Sequence, residues 1–283
     1  MYNWRKGIAS WTVKDTTYLS IVFTWHLPEA RKLCEASKKK IVVGGPAVKL
    51  MPDYLADVAH VEPETIYSAL AYHNPLATFT SRGCINACPF CAVPRIEGKF
   101  RYVDYIPAPV VCDNNILASS DSRFHQVIDS LLQFPYVDFN QGLEANLFSE
   151  FHAKELKRLK GVKVRFALDY TYKSNQVQRA IELCKTHNLK DLGVYVLIGY
   201  KDTPSDAKHR LELVRSWGVR PNPMRYQPLK GECALRKNSF IEKGWTQIEL
   251  ENMTRYYSRL NYLEHIPFKE YKGFKDQRQG MML

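Results

Sequence analysis

A chain of 283 residues with 45% apolar content can fill a sizeable core, arranged as one large domain or two unequal ones. Its 40 Lys and Arg against 29 Asp and Glu leave a net charge of +11, which favours an anionic partner. No run of about eighteen apolar residues occurs, which argues against a membrane span, and seven cysteines without a secretory leader argue against a disulfide framework and for a reducing compartment, the cytoplasm.

In chain order, apolar runs of strand length alternate with helical patterns, the signature of βα units and a mainly parallel sheet. Residues 16–23 read as a strand, 28–39 as a basic helix, and 41–46 as a second strand ending in the turn Gly44-Gly45-Pro46. A short helix is expected at 64–72, which makes 1–75 a small Rossmann-like α/β segment.

Cys84, Cys88 and Cys91 follow at C-x3-C-x2-C spacing. Three such thiolates can hold three irons of a cubane 4Fe-4S cluster and leave the fourth iron open to bind and reduce a small molecule. A structural zinc site is the alternative, although the second Cys or His pair that would complete it is missing. Of the other cysteines, Cys34, Cys112, Cys184 and Cys233 are scattered, Cys184 being most simply core.

Six strand candidates come next, at 77–82, 108–112, 136–141, 162–168, 193–199 and 223–228, with helices at 122–134, 150–160, 174–187 and 204–217. Thr203-Pro204-Ser205-Asp206 is a capping signal for the last helix. Val177, Ala180, Ile181 and Cys184 share one face of the third, as packing on a sheet requires. Six parallel strands with covering helices predict a partial (β/α)6 TIM-type barrel over 76–230, with its site at the C-terminal strand ends. Polar residues recur at period two in three of these strands: Asp138 with Asn140, Arg165 with Asp169, and Arg225 with Gln227. They line either a polar lumen around a charged ligand or solvent-facing strand edges.

The tail, 231–283, has one clear helix at 246–263 with Met253, Tyr257 and Leu260 at helical spacing, and it is expected to pack on the barrel or close its open side. Tyr256, Tyr257 and Tyr262 interleave with Arg255 and Arg259, a pattern that fits nucleic-acid contact or core packing under a solvated rim.

The cysteine spacing, with Phe90 just before the third cysteine, resembles the radical S-adenosylmethionine superfamily. That resemblance implies a 4Fe-4S cluster whose open iron chelates S-adenosyl-L-methionine and cleaves it to a 5′-deoxyadenosyl radical, in a partial (β/α)6 barrel. It implies further that Asp113, Asn114 and Asn115 close the second strand where the methionine amino group is bound. Asn140 and Gln141 fall where the ribose is held, and Arg165 where the methionine carboxylate is paired. Val196 to Gly199, with Ile198, resembles the adenine-contacting segment, and Tyr226 and Gln227 would complete the pocket. The first strand, helix and Gly44-Gly45-Pro46 resemble part of a cobalamin-binding domain, but the βα units are too few and no Asp-x-His-x-x-Gly motif occurs, which argues against cobalamin. The stretch Ala92 to Arg101 is similar to the loop after the cluster in transfer-RNA methylthiotransferases, whose second cluster has no cysteine triplet here.

The expectation is therefore an anaerobic radical S-adenosylmethionine enzyme, supplied with electrons by an external reductant of flavodoxin or ferredoxin type. It would abstract hydrogen from a nucleic-acid base or nucleotide, or else from a small metabolite or peptide. The reading from another class is a non-catalytic, metal-stabilised nucleic-acid-binding module.

Overall fold

The structure, a computed structural model, describes residues 7–62, 69–263 and 265–273. The chain opens on an antiparallel hairpin of β1 (Ile8–Val13) and β2 (Thr16–Ile21), turned at Lys14 with φ 52°. Trp11 and Tyr18 are cross-strand partners in this hairpin, and Trp11 stacks between the rings of Tyr18 and Tyr72. A crossover through α1 (Leu27–Ala36) leads to β3 (Lys40–Gly44), parallel to β2. Next come α2 (Pro46–Leu50) and β4 (His60–Val61), which is parallel to β3. Leu27, Ala30 and Cys34 form the buried stripe of α1 and meet Leu19, Ile21, Ile41 and Val43 in a small core of their own. Gly45 takes φ +96° at the end of β3, where an added Cβ would come within 2.7 Å of the Ile21 carbonyl oxygen.

The expected strand, helix and strand of this unit are thus present, and the hairpin strand β1 adds to them. Of the expected helix at 64–72, residues 64–68 lie outside the described residues, and α3 occupies Ala69–His73.

After β5 (Ala77–Thr78) and β6 (Ser81–Arg82), the cysteine segment contains α4 (Val93–Ile96) and closes on β7 (Arg101–Tyr102), antiparallel to β6. The chain then runs through β8 (Val110–Val111), α5 (Asp121–Leu131), β9 (Val137–Phe139), α6 (Glu150–Lys157), β10 (Val162–Ala167) and α7 (Ser174–Thr186). It continues through β11 (Asp191–Ile198), α8 (Pro204–Ser216) and β12 (Arg220–Arg225) to α9 (Gln247–Ser258) and α10 (Leu260–Leu263). Strands β5, β8, β9, β10, β11 and β12 form one parallel sheet in sequential order, so the protein is mixed α/β with a six-stranded parallel sheet. The strand at 220–225 begins three residues before the expected 223–228, because Gly193 to Ile198 pair with Arg220 to Arg225.

Alternation within β10 and β11 divides the sheet's two faces. Val162, Val164 and Phe166, with Val194, Val196 and Ile198, point into a large core under the helices, where Phe124, Phe139, Phe148 and Phe166 are at most 2% exposed. Each ring removed from water contributes about 2–3 kcal/mol. Helix α8 starts with the expected cap: Thr203 Oγ1 accepts from Asp206 N at 3.2 Å, and the Asp206 carboxylate accepts from Thr203 N at 3.1 Å. Helix α9 lies against β12 and α8 with Leu250, Met253, Tyr256 and Tyr257 buried, so the tail packs on the sheet domain. Among the described residues no helix is long and apolar enough to cross a membrane.

Candidate active site

The cysteine loop is pinned at its base by one carboxylate. Glu97, whose side chain is 7% exposed, accepts on a single oxygen from Arg82 Nε at 2.8 Å, Gly83 N at 2.9 Å and Asn114 Nδ2 at 2.7 Å. Gly83 holds φ +76°, and a Cβ there would lie 2.2 Å from the Lys99 carbonyl oxygen, so only glycine lets the two ends of the loop come together. Cys84 N donates to Gly98 O at 3.3 Å and Cys91 N to Cys88 O at 3.0 Å. Helix α2 of the small unit lies against α4 and supports the loop from outside.

All three thiols are half-buried, and N–H groups already point at two of the sulfurs. Asn86 N and Asn115 Nδ2 approach Cys84 Sγ at 3.3 and 3.5 Å, and Val93 N approaches Cys91 Sγ at 3.5 Å. Burial raises the Cys88 and Cys91 pKa, with a smaller upward push from Asp169. Asn86 also donates to Glu144 at 2.7 Å, tying the loop to the segment after β9. Among the described residues no three His, Cys, Asp or Glu side chains are gathered closely enough to hold a metal ion as they stand. The donor chemistry nonetheless suits an iron-sulfur cluster, whose sulfurs are tuned by such N–H contacts.

The other expected site residues have varied surroundings. Asp113 is 4% exposed and accepts from Thr80 N at 2.7 Å, Thr80 Oγ1 at 2.6 Å and Ser81 Oγ at 2.5 Å. Burial raises its pKa against those bonds, and its carboxylate is occupied in joining the end of β5 to the end of β8. Asn114 is taken up by Glu97, whereas Asn115 is buried beside Cys84 with its Oδ1 unpartnered. Asn140 and the exposed Gln141 stand at the end of β9, and among the described residues neither side chain makes a hydrogen bond.

Arg165 lies on the polar face, paired with both oxygens of Asp138, bonded to the Phe139 carbonyl at 3.1 Å and set beneath the Tyr195 ring. Asp169, just past β10, makes no hydrogen bond among the described residues, and burial pushes its pKa up to about 6 in spite of Lys173 and Arg210. Ile198 does not reach this face, because it shares the helix side of β11 with Val194 and Val196 and is fully buried in the core, while Tyr195 and Leu197 alternate to the polar side. Arg225 and Gln227 turn toward the C-terminal segment. Arg225 bonds Phe240 O and Gln247 Oε1, both at 2.8 Å, and Gln227 bonds the backbone of Cys233, Arg236 and Asn238. In this strand the polar period therefore marks contacts with the tail and not a ligand face.

Phe90 leans toward Tyr170 at 6.1 Å and Tyr200 at 5.5 Å, and Tyr200 meets Tyr226 at 4.6 Å. The Tyr200 turn is set by Asp202, which accepts from Gly199 N, Tyr200 N and Trp245 Nε1, each at 3.1 Å, and pairs with the buried Arg210. Glu97, Tyr170, Tyr200 and Asp202 were not among the expected site residues, and Asp169 was expected only as part of the polar period of its strand. The signal that could have found some of them was the tyrosine that follows the fourth, fifth and sixth strands of the large sheet: Tyr170, Tyr200 and Tyr226. No protein-family model matches the chain, and neither does any curated protein.

Proposed function

We propose that the protein is a radical S-adenosylmethionine enzyme built on a partial (β/α)6 barrel, with Cys84, Cys88 and Cys91 as ligands of a 4Fe-4S cluster. The observation that carries this reading is a C-x3-C-x2-C loop directly after the first strand of a sequentially ordered parallel sheet, at the strand ends where such sheets bind ligands. When bound, the cluster supplies the electron that splits S-adenosylmethionine and so starts hydrogen abstraction.

The chain's own residues bind and shield. Asn115 keeps its amide nitrogen on Cys84 and has Oδ1 left as an acceptor for an ammonium group. Asn140 and Gln141 offer unspent amides for hydroxyls, Phe90 and Tyr226 supply apolar walls, and Arg165 contributes positive potential from its place beside Asp138. The net charge of +11 suits an acidic one-electron donor of flavodoxin or ferredoxin type.

Reconstituted without oxygen, the protein should carry about four irons and four sulfides and release 5′-deoxyadenosine under dithionite. Cys84→Ala, Cys88→Ala and Cys91→Ala should each abolish the iron-sulfur absorbance and the cleavage together. Cleavage retained in any one of them sinks the assignment, and zinc without product would favour the metal-stabilised binding module.

A further inference from the structure

At the C-terminal strand ends, six rings touch in succession: Tyr172, Tyr170, Phe90, Tyr200, Tyr226 and Phe240, with centroid separations of 4.6–6.1 Å. None of them belongs to either apolar core, and Tyr172 is 74% exposed. Their hydroxyls differ from those of the tyrosines bonded within the fold. Tyr195, Tyr256 and Tyr257 donate to Asn140 O, Ile266 O and Glu212, whereas the hydroxyls of Tyr170, Tyr172, Tyr200 and Tyr226 have no partner among the described residues. Cations flank the row. Lys201 sits 5.7 Å from the Tyr200 ring, Arg95 acts electrostatically on Tyr226, and neither forms an ion pair among the described residues. Glu242 also faces Tyr226, but its carboxylate is engaged by the backbone N–H groups of Lys201 and Lys243.

We propose that this row is the binding surface for the substrate, and that the substrate is a single strand of nucleic acid whose unpaired bases stack on the rings while its phosphates meet Arg95 and Lys201. The inference rests on the enzyme reading above and gives it a substrate class. Stacking on aromatic rings accepts any base, and interleaved cations follow the backbone. A row of rings this long is wider than one small metabolite needs. The tail pattern around Arg255 and Arg259 loses two of its three stacking groups, because Tyr256 and Tyr257 are fully buried, and is left with the exposed Tyr262 alone.

The test is anisotropy of a short fluorescein-labelled oligouridylate, with the matching oligothymidylate and a duplex as further arms, in the absence of reductant. Tyr172→Ala with Phe240→Leu should weaken single-strand binding about tenfold. Arg95→Gln with Lys201→Gln should flatten the salt dependence by about 0.7 in slope for each phosphate that is no longer neutralised. Circular dichroism and melting confirm that each variant is folded. Equal binding by wild type and both variants, preference for the duplex, or a larger loss in Arg255→Gln with Arg259→Gln would overturn the proposal. S-adenosylmethionine cleavage is measured separately: cleavage without strand binding defeats this inference alone, and strand binding without cleavage defeats the enzyme reading and with it the strand's role as substrate.

Discussion

The floor and the mouth of the polar face of the large sheet treat their polar groups in opposite ways. On the floor, Arg165 holds both oxygens of Asp138 and the Phe139 carbonyl, with the Tyr195 ring over it. Gly193 has no Cβ to crowd this pair; an added one would lie 3.0 Å from Asn222 Nδ2 and 3.8 Å from Arg165 Cγ. At the mouth, Asn115 Oδ1, the Asp169 carboxylate and four tyrosine hydroxyls have no hydrogen-bond partner among the described residues. Of these groups Asn115 Oδ1 is buried, where a polar atom is normally satisfied, and the others are at least partly open to solvent. The floor is therefore finished as structure, and the mouth is where partners from outside fit.

The largest effect expected from this contrast is at the floor. Arg165→Ala leaves Asp138 charged and enclosed, and should cost about 3–5 kcal/mol in urea unfolding. Replacing both partners, Arg165→Met with Asp138→Leu, should recover most of that loss. If the double variant also binds S-adenosylmethionine as wild type does, Arg165 serves the fold alone; weaker binding in a folded double variant gives its charge a share in the cofactor pocket.

The mouth predicts the reverse. Because the folded pKa of Asp169 is raised to about 6 from 3.8, the folded state binds its proton more tightly than the unfolded state does. The associated stability is present below pH 3.8 and is lost as pH rises through about 6. Asp169→Asn should leave stability unchanged near pH 4 and raise it by at most about 3 kcal/mol at pH 8. An unchanged difference across that range would mean that the carboxylate finds a partner in solution. A smaller effect is expected where the loop closes: Gly83→Ala should cost about 2 kcal/mol and lower the iron bound after reconstitution, since Lys99 O occupies the Cβ position.

Much of the fold was legible in the sequence because local signals and tertiary packing agree. The apolar stripe of α7, Val177, Ala180, Ile181 and Cys184, is the buried one, and the Thr203 cap begins α8 as expected. What the period-two pattern could not give was the side to which each polar residue turns. Arg165 and Arg225 look alike as charges within apolar strands, yet one meets Asp138 on the polar face and the other Gln247 of α9. That choice depends on a helix more than twenty residues downstream. The cysteine spacing was readable, but its support was not, since Glu97 acts through Arg82, Gly83 N and Asn114, groups united only by the closed loop.

The last strand of the large sheet has an outer edge with no neighbouring strand among the described residues. Tyr226 N donates inward to Ile198 O, so by alternation the nitrogens of residues 221 and 223 face outward, and both belong to prolines. A second chain offering a strand to this edge would find carbonyls but no donors at those two positions. The twin prolines thus act as a guard against self-association during folding, when transiently exposed sheet edges aggregate. Pro221→Val with Pro223→Val would restore the edge donors and should reveal this as a concentration-dependent loss of soluble protein on refolding.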